Sequence, residues 1–189
     1  MPVKDNAKSS RRTNKTNSMN NMSSDSSVIS AAFEPGEYRD FTGYIFHRNG
    51  LVEGYAEDAS FYLVDNYDDI TMNWLDGTWV SGQCASACWQ GGTWLNGTFS
   101  EGNWYGGDWK DGTFYRGAWV NGTWGGGVFD CSQWRNGVWA DGIFRESAWL
   151  DGRWLDGRWE NGIWIDERGI CRRIDHSRWR MIRLEKHFY

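Results

Sequence analysis

Residues 94–124 read WLNGTFSEGNWYGGDWKDGTFYRGAWVNGTW, and in this stretch an aromatic residue stands at every fifth position. The same spacing runs from Trp74 to Trp164, interrupted only by Cys84, and a Gly, Ala or Ser lies two positions before each later aromatic residue. A period this strict indicates a repeat array in which each unit contacts its neighbours. We expect the repeated aromatic residues to form the structural core: Trp74, Trp79, Trp89, Trp94, Phe99, Trp104, Trp109, Phe114, Trp119, Trp124, Phe129, Trp134, Trp139, Phe144, Trp149, Trp154, Trp159 and Trp164.

A second period of 15 residues lies on top of the first. Phe99, Phe114, Phe129 and Phe144 are spaced by 15, and the positions of the five-residue register between them are all Trp. Asn-Gly and Asp-Gly pairs dominate after the Trp positions, whereas the Phe positions are followed by pairs such as Arg116-Gly117 and Glu146-Ser147. Two corners of one kind and one of another predict an all-β fold, a three-sided β-solenoid of 15-residue coils. Six such coils, stacked about 4.8 Å apart, would make a rod on the order of 29 Å long.

The small residue in each unit has a packing reason. Residues i and i−2 of a strand point to the same face, so each aromatic side chain shares its face with a Gly, Ala or Ser. We expect the indole of one side to lie over the glycine of the next, which fits three large rings into each layer without overfilling it.

The chain resembles the pentapeptide-repeat family. That family's unit has a central Leu or Phe with a small residue two places before it, and Gly97-Thr98-Phe99-Ser100-Glu101 and Gly102-Asn103-Trp104-Tyr105-Gly106 fit this frame. The resemblance implies stacked parallel coils and covers about half of the chain. Here Trp replaces Leu and Gly replaces Ala. The 15-residue period indicates three sides, where the family's coils have four.

The array is also similar to MORN repeats, in which G-x-W-x-x-G phrases form antiparallel hairpins. Asn-Gly and Asp-Gly are strong hairpin dipeptides, so the turn chemistry favours an antiparallel β-meander. The 15-residue period favours the solenoid. In an antiparallel meander, three strands per unit would make successive units run in opposite directions, and nothing in the sequence alternates every 30 residues. The meander stays as the alternative fold.

Charge and composition divide the chain into four parts. Residues 1–31 are rich in Ser, Asn, Lys and Arg, with five Lys/Arg against two acids, which predicts a disordered basic arm. Residues 32–71 alternate apolar and polar residues around turn signals, which predicts an N-terminal β cap. Residues 72–166 are the aromatic repeat array. Residues 167–189 carry seven Lys/Arg against three acids and form a basic C-terminal cap, with a helix as one option.

Motifs for catalysis or ligand binding are missing from the sequence. We find no serine elbow, phosphate loop or paired-carboxylate motif, and the spacing of the three His and four Cys favours no zinc site. We therefore expect no enzyme activity, no metal and no cofactor. One Asp or Asn per corner is explained by turn geometry rather than calcium. The N-terminus lacks a secretory signal and no apolar run would span a membrane, so we expect reduced thiols and a cytoplasmic or virion location.

These features predict a non-enzymatic structural component of a larger assembly. Small size, repeat body and basic arm resemble accessory virion proteins of bacteriophages, such as tail or capsid proteins. The expected partners are other protein subunits, copies of this chain included, and not nucleic acid. A carbohydrate- or surface-binding module with exposed Trp rows is the alternative. The basic residues of the C-terminal cap are candidate partner contacts: Arg172, Arg173, Arg178, Arg180, Arg183 and Lys186.

Overall fold

The computed structural model describes residues 36–46, 52–65, 70–165 and 168–175, and all of their regular structure is β-strand. The first three strands are β1 (Gly36–Phe46), β2 (Val52–Asp65) and β3 (Ile70–Trp89). The array continues with β4 (Thr93–Trp94), β5 (Thr98–Trp104), β6 (Asp108–Trp109), β7 (Thr113–Trp119), β8 (Thr123–Trp124), β9 (Val128–Asp130) and β10 (Gln133–Trp134). It ends with β11 (Val138–Trp139), β12 (Ile143–Trp149), β13 (Arg153–Trp154) and β14 (Arg158–Ile165), and β15 (Cys171–Asp175) follows the array.

The array is a parallel β-solenoid of about 6 turns. Strands one coil apart pair in parallel with an offset of 15 residues, as in Phe99↔Phe114 and Trp94↔Trp109. The pairing of β12 with β14 departs from it at Arg145↔Asn161. The hydrogen bonds between coils recur with the same period: the N–H of Lys110 donates to the carbonyl of Trp94 at 2.8 Å, and 15 residues later the N–H of Gly125 donates to the carbonyl of Trp109 at 2.7 Å. The predicted three-sided solenoid is confirmed. The antiparallel meander is wrong for the array, because its strands pair in parallel.

The aromatic residues form three rows, one on each side of the coil. Each row is defined here by its members. Row A is Trp74, Trp89, Trp104, Trp119, Trp134, Trp149 and Trp164. Row B is Trp79, Trp94, Trp109, Trp124, Trp139 and Trp154. Row C is Cys84, Phe99, Phe114, Phe129, Phe144 and Trp159.

Rings stack face to face along a row and meet edge to face between rows. The centroids of Trp104 and Trp119 in row A are 4.9 Å apart with planes 7° from parallel. Trp104 meets Trp109 of row B at 5.6 Å and 77°. Edge-to-face pairs and parallel pairs with offset rings suit the aromatic quadrupole, and such a pair adds about 0.5–1.5 kcal/mol beyond the area it buries. The core is therefore a continuous lattice of rings that links every coil to the next.

The corners are of two kinds, as the dipeptides predicted. The first corner follows row A and the second follows row B, and in most of these corners an Asp or Asn accepts a hydrogen bond from the next glycine. The exceptions have Ser81, Gly91, Gly106 and Gly126 before the glycine. In one such corner the N–H of Gly112 donates to Asp111 Oδ1 at 2.7 Å. The third corner follows row C and instead has a non-glycine residue at positive φ, such as Glu101 at 65° or Arg116 at 54°. There β5, β7 and β12 each run through the corner without a break.

At the first and second corners, nearby backbone as well as nearby rings leaves no room for a residue larger than glycine. A Cβ added to Gly112 would lie 2.2 Å from the carbonyl oxygen of Gly97 in the coil below, and Gly112 has φ +113°. A Cβ on Gly142 would meet the carbonyl oxygen of Gly127 at 2.7 Å and Trp124 Nε1 at 3.0 Å. The sequence predicted contact with an indole alone. The nearest obstacle in both is a carbonyl oxygen of the preceding coil's backbone.

The N-terminal strands β1 and β2 extend the sheet beyond the first coil by antiparallel pairing. β2 pairs antiparallel with β3 from Val52↔Cys84 to Asp65↔Ile70, and β1 pairs antiparallel with β2. Both β1 and β2 bend at an aspartate with positive φ, Asp40 at 51° and Asp58 at 49°. These strands lie within the predicted N-terminal cap and cover one end of the parallel stack, where a bare edge would otherwise be free to pair.

The C-terminal strand differs from the helix considered for this segment. β15 pairs antiparallel with β14, from Asn161↔Asp175 to Ile165↔Cys171. A helix over 171–175 is therefore wrong. The predicted disordered arm, residues 1–31, lies outside the described residues.

Candidate functional site

The interior of the rod is filled by the aromatic rows. Row members from Trp74 to Phe144 are fully buried, Trp149 is 4% exposed, Trp159 is fully buried, and Trp154 and Trp164 are partly buried against the same cluster. Cys84 completes row C as a buried thiol, and burial raises its pKa. Since the rings face one another, the array offers a ligand only its outer surface.

The buried indoles carry N–H groups, and only some have an acceptor. Trp109 Nε1 donates to the carbonyl of Gly126 at 3.1 Å. Other buried row members place Nε1 where no hydrogen-bond partner lies: Trp74, Trp79, Trp89, Trp94, Trp104, Trp119, Trp124, Trp134 and Trp139. A buried donor without an acceptor costs about 1–3 kcal/mol. Ring stacking and the burial of apolar surface must therefore outweigh the free-energy cost of these unpaired indole N–H groups.

Two serines turn the third corner into a polar ladder. Ser132 Oγ accepts from the N–H of Gly117 at 3.2 Å and donates to the carbonyl of Asp130 at 2.6 Å. Ser147 Oγ accepts from the N–H of Ser132 at 3.0 Å and donates to the carbonyl of Arg145 at 2.7 Å. The hydroxyls thus occupy the place of a glycine and satisfy backbone groups of this corner. Their role is structural.

Beside these serines lies a shallow, open groove of about 460 Å³. Cys131 and Glu146 lie along it on the third corner, with Asn161 on the following coil. Next to the groove, Arg145 forms an ion pair with Asp130 at 2.8 Å. The Cys131 thiol is exposed, and partial desolvation together with the Asp130 and Glu146 carboxylates raises its pKa. A raised pKa leaves less thiolate at neutral pH, which disfavours a nucleophilic role.

The same residues form a group that resembles a metal site. Asp130, Cys131 and Glu146 offer ligand atoms within 4.8 Å of one another. Asp130 is engaged by Arg145, and partial desolvation with the neighbouring carboxylates raises the pKa of the Cys131 thiol, although a metal would require the thiolate. The charges along this corner fit an ionic ladder between coils better than a metal centre.

The N-terminal cap contains aromatic residues that the period did not predict. Phe61 stacks on Trp74 at 5.8 Å with planes 5° apart, and Tyr38 stacks on Phe61 at 4.9 Å, so row A continues into the cap. Tyr44 points outward with 79% of its surface exposed, and it meets Tyr55 at 5.0 Å in an edge-to-face pair. No described aromatic residue of the array is exposed to this extent. We call Tyr44 and Tyr55, with the neighbouring Glu53 and Glu57, the tyrosine face.

The predicted partner contacts are only partly described. Arg172 and Arg173 belong to β15, whose backbone pairs with Trp164 and Ile163. Arg178, Arg180, Arg183 and Lys186 lie outside the described residues. Whether these six residues meet a partner stays a prediction.

Fold and interior together define a parallel β-solenoid repeat protein with an aromatic core. Comparison with known proteins gives no match, whether to a family model, to a characterised protein or to a solved structure. Among the described residues, no helix is long and apolar enough to cross a membrane.

Proposed function

We propose that this chain is a non-enzymatic structural component of a larger assembly. The observation that carries the proposal is the filled interior, in which three rows of stacked rings extend through the coils. An interior of this kind makes a stiff rod and gives no enclosed space for a substrate. What the molecule presents to others is its repeated corners, its two ends and the tyrosine face.

A bacteriophage virion, as a tail or capsid accessory protein, is the assembly we favour, and copies of this chain are among the expected partners. This rests on analogy, since small repeat proteins with basic arms serve in such particles. A distant relation to pentapeptide-repeat proteins is part of the same proposal, supported by the five-residue unit and the parallel coils. A cytoplasmic or virion location goes with it.

Carbohydrate binding through exposed Trp rows is the second candidate, and the burial of those rows weighs against it. Trp154 and Trp164, at the C-terminal end, are the partly buried members. Two rings at one end do not form the long platform that the alternative requires.

Gradient sedimentation of the natural source tests the proposal. The chain should migrate with particles far larger than its own 21.9 kDa and remain with them after a high-salt wash. Mass spectrometry of the particle would show whether virion proteins accompany it. Migration of the whole population at the monomer position would refute the assembly role. Migration with large particles that lack virion proteins would refute the virion proposal and leave the assembly role standing.

A further inference from the structure

The tyrosine face is the largest departure from the rule that this protein buries its aromatic residues. Tyr44 is 79% exposed, while the rows of the array lie inside. Tyr44 pairs across the strands with Tyr55, and Tyr55 pairs with Ser81 at the second corner of the first coil. The face therefore projects from a sheet that is paired with the first coil of the rod. Tyrosines held in this way are common at protein interfaces, because a ring gives a large contact area with little loss of conformational entropy.

The charge around the tyrosine face indicates what it binds. The described residues of β1 and β2 carry six acids and one base (Glu37, Asp40, Glu53, Glu57, Asp58 and Asp65 against Arg39). Neither Glu53 nor Glu57 forms an ion pair with a described residue. Exposed aromatic rings flanked by carboxylates suit Lys and Arg, which gain cation–π contacts from the rings and charge pairing from the acids.

We propose that the tyrosine face binds the basic segment 1–31 of a second copy of this chain. That segment lies outside the described residues and carries five Lys/Arg against two acids, so its charge complements the cap. Residues 32–35 separate it from Gly36, the first residue of β1, which pairs with Leu63 on the side of row A. The tyrosine face lies at the opposite end of β1, beyond the bend at Asp40. A segment leaving one copy therefore starts on a different side of the rod from its own tyrosine face.

The docking makes a head-to-tail contact. Each copy would give one segment and receive another, and an interface of this kind closes into a ring or continues as a filament. The inference rests on the proposed structural function and names one of its partners.

Cross-linking of mixed isotopic copies tests the contact directly. Full-length ¹⁴N and ¹⁵N chains are mixed and treated with a carbodiimide, which joins amines to carboxylates that touch. We expect links between copies that join Lys4, Lys8 or Lys15 to Glu53 or Glu57. Sedimentation of the same sample should show self-association that weakens with added salt, since the Debye length falls to about 8 Å at physiological ionic strength.

Variants with matched controls separate this face from general charge effects. Tyr44→Ser and Glu57→Lys should each weaken self-association about tenfold. Tyr105→Ser is the control for the ring, since it removes a 43% exposed tyrosine of the array. Glu101→Lys is the control for the charge, since Arg116 occupies the same corner position one coil later with a similar φ. Both controls should associate like the parent. Circular dichroism should be the same for all four, because each changed side chain is exposed.

Several results would overturn the inference. These are links found only within one copy, links to the C-terminal basic residues in place of segment 1–31, or a chain that stays monomeric at high concentration. A monomeric chain that still migrates with large particles from its source would remove the contact between copies and leave the proposed function standing. A chain that self-associates as described but never migrates with other components would keep the contact between copies and remove the proposed function.

Discussion

Gly112→Ala tests the closest contact between coils with a single methyl group. The added Cβ would lie 2.2 Å from the carbonyl oxygen of Gly97 and 2.8 Å from its nitrogen. That carbonyl already accepts the N–H of Thr113 at 2.8 Å, so moving the coils apart would weaken a hydrogen bond of the ladder. The backbone at Gly112 also has φ +113°, which residues with a Cβ rarely adopt.

Two costs add up in this variant. Left-handed backbone costs a non-glycine residue about 1–2 kcal/mol, and overpacking costs about 1–3 kcal/mol. The sum is about 2–5 kcal/mol, a large share of the roughly 5–15 kcal/mol that stabilises a typical domain. At about 2–4 °C per kcal/mol for a chain of this size, the melting temperature should fall by roughly 4–20 °C. Thermal melting followed by circular dichroism measures this fall.

Gly91→Ala is the matched control. It lies at a corner position that other coils fill with Asp or Asn, and its added Cβ would meet only the carbonyl oxygen of Leu75 at 3.4 Å, an ordinary contact. We expect its stability to change by no more than about 0.5 kcal/mol. If Gly112→Ala melts together with Gly91→Ala, the close approach of the coils at this corner is wrong.

Three further perturbations test the ring lattice, the coil period and the third corner. Trp109→Phe should cost about 1 kcal/mol more than Trp124→Phe in urea unfolding, because only Trp109 Nε1 has an acceptor in Gly126; equal costs would show that the hydrogen bond contributes nothing. Deleting residues 104–118 should leave a shorter folded rod, whereas deleting only the first five should turn later rows onto wrong sides; equal melting of the two would contradict a 15-residue coil. Asp130→Asn should speed alkylation of Cys131 near neutral pH, because it removes a charge that raises the thiol pKa; an unchanged rate would argue against that cause.

The array could be predicted because every coil repeats the same physical problem. The Phe99 to Phe144 spacing alone indicated the number of sides, and the dipeptides separated the corners. That strands run through the third corner, with Arg116 at φ 54°, was seen only in the structure.

The cap could not be predicted in the same detail, because a period describes only pairing between copies of the same unit. Phe61 and Tyr38 extend row A through antiparallel pairing with β3, and no spacing links them to Trp74. The exposure of Tyr44 follows from that pairing as well. The close contact between glycines of successive coils was also missed, since a strand pattern shows which face a residue shares and not how near the next backbone lies.

The stacked indoles give this protein an unusual optical character. Neighbouring rings within the Trp rows lie 4.5–5.1 Å apart and within 10° of parallel. At such separations the electronic transitions of adjacent indoles couple, and light absorbed by one ring passes to others before it is emitted. Transfer along a row keeps the direction of polarisation, but transfer between rows, as from Trp104 to Trp109 with planes 77° apart, should depolarise the emission even when the rod itself is immobile. Ultraviolet absorption, near-ultraviolet circular dichroism and fluorescence would then belong to whole columns of rings, and removing one indole would alter the signal of all the rings above and below it.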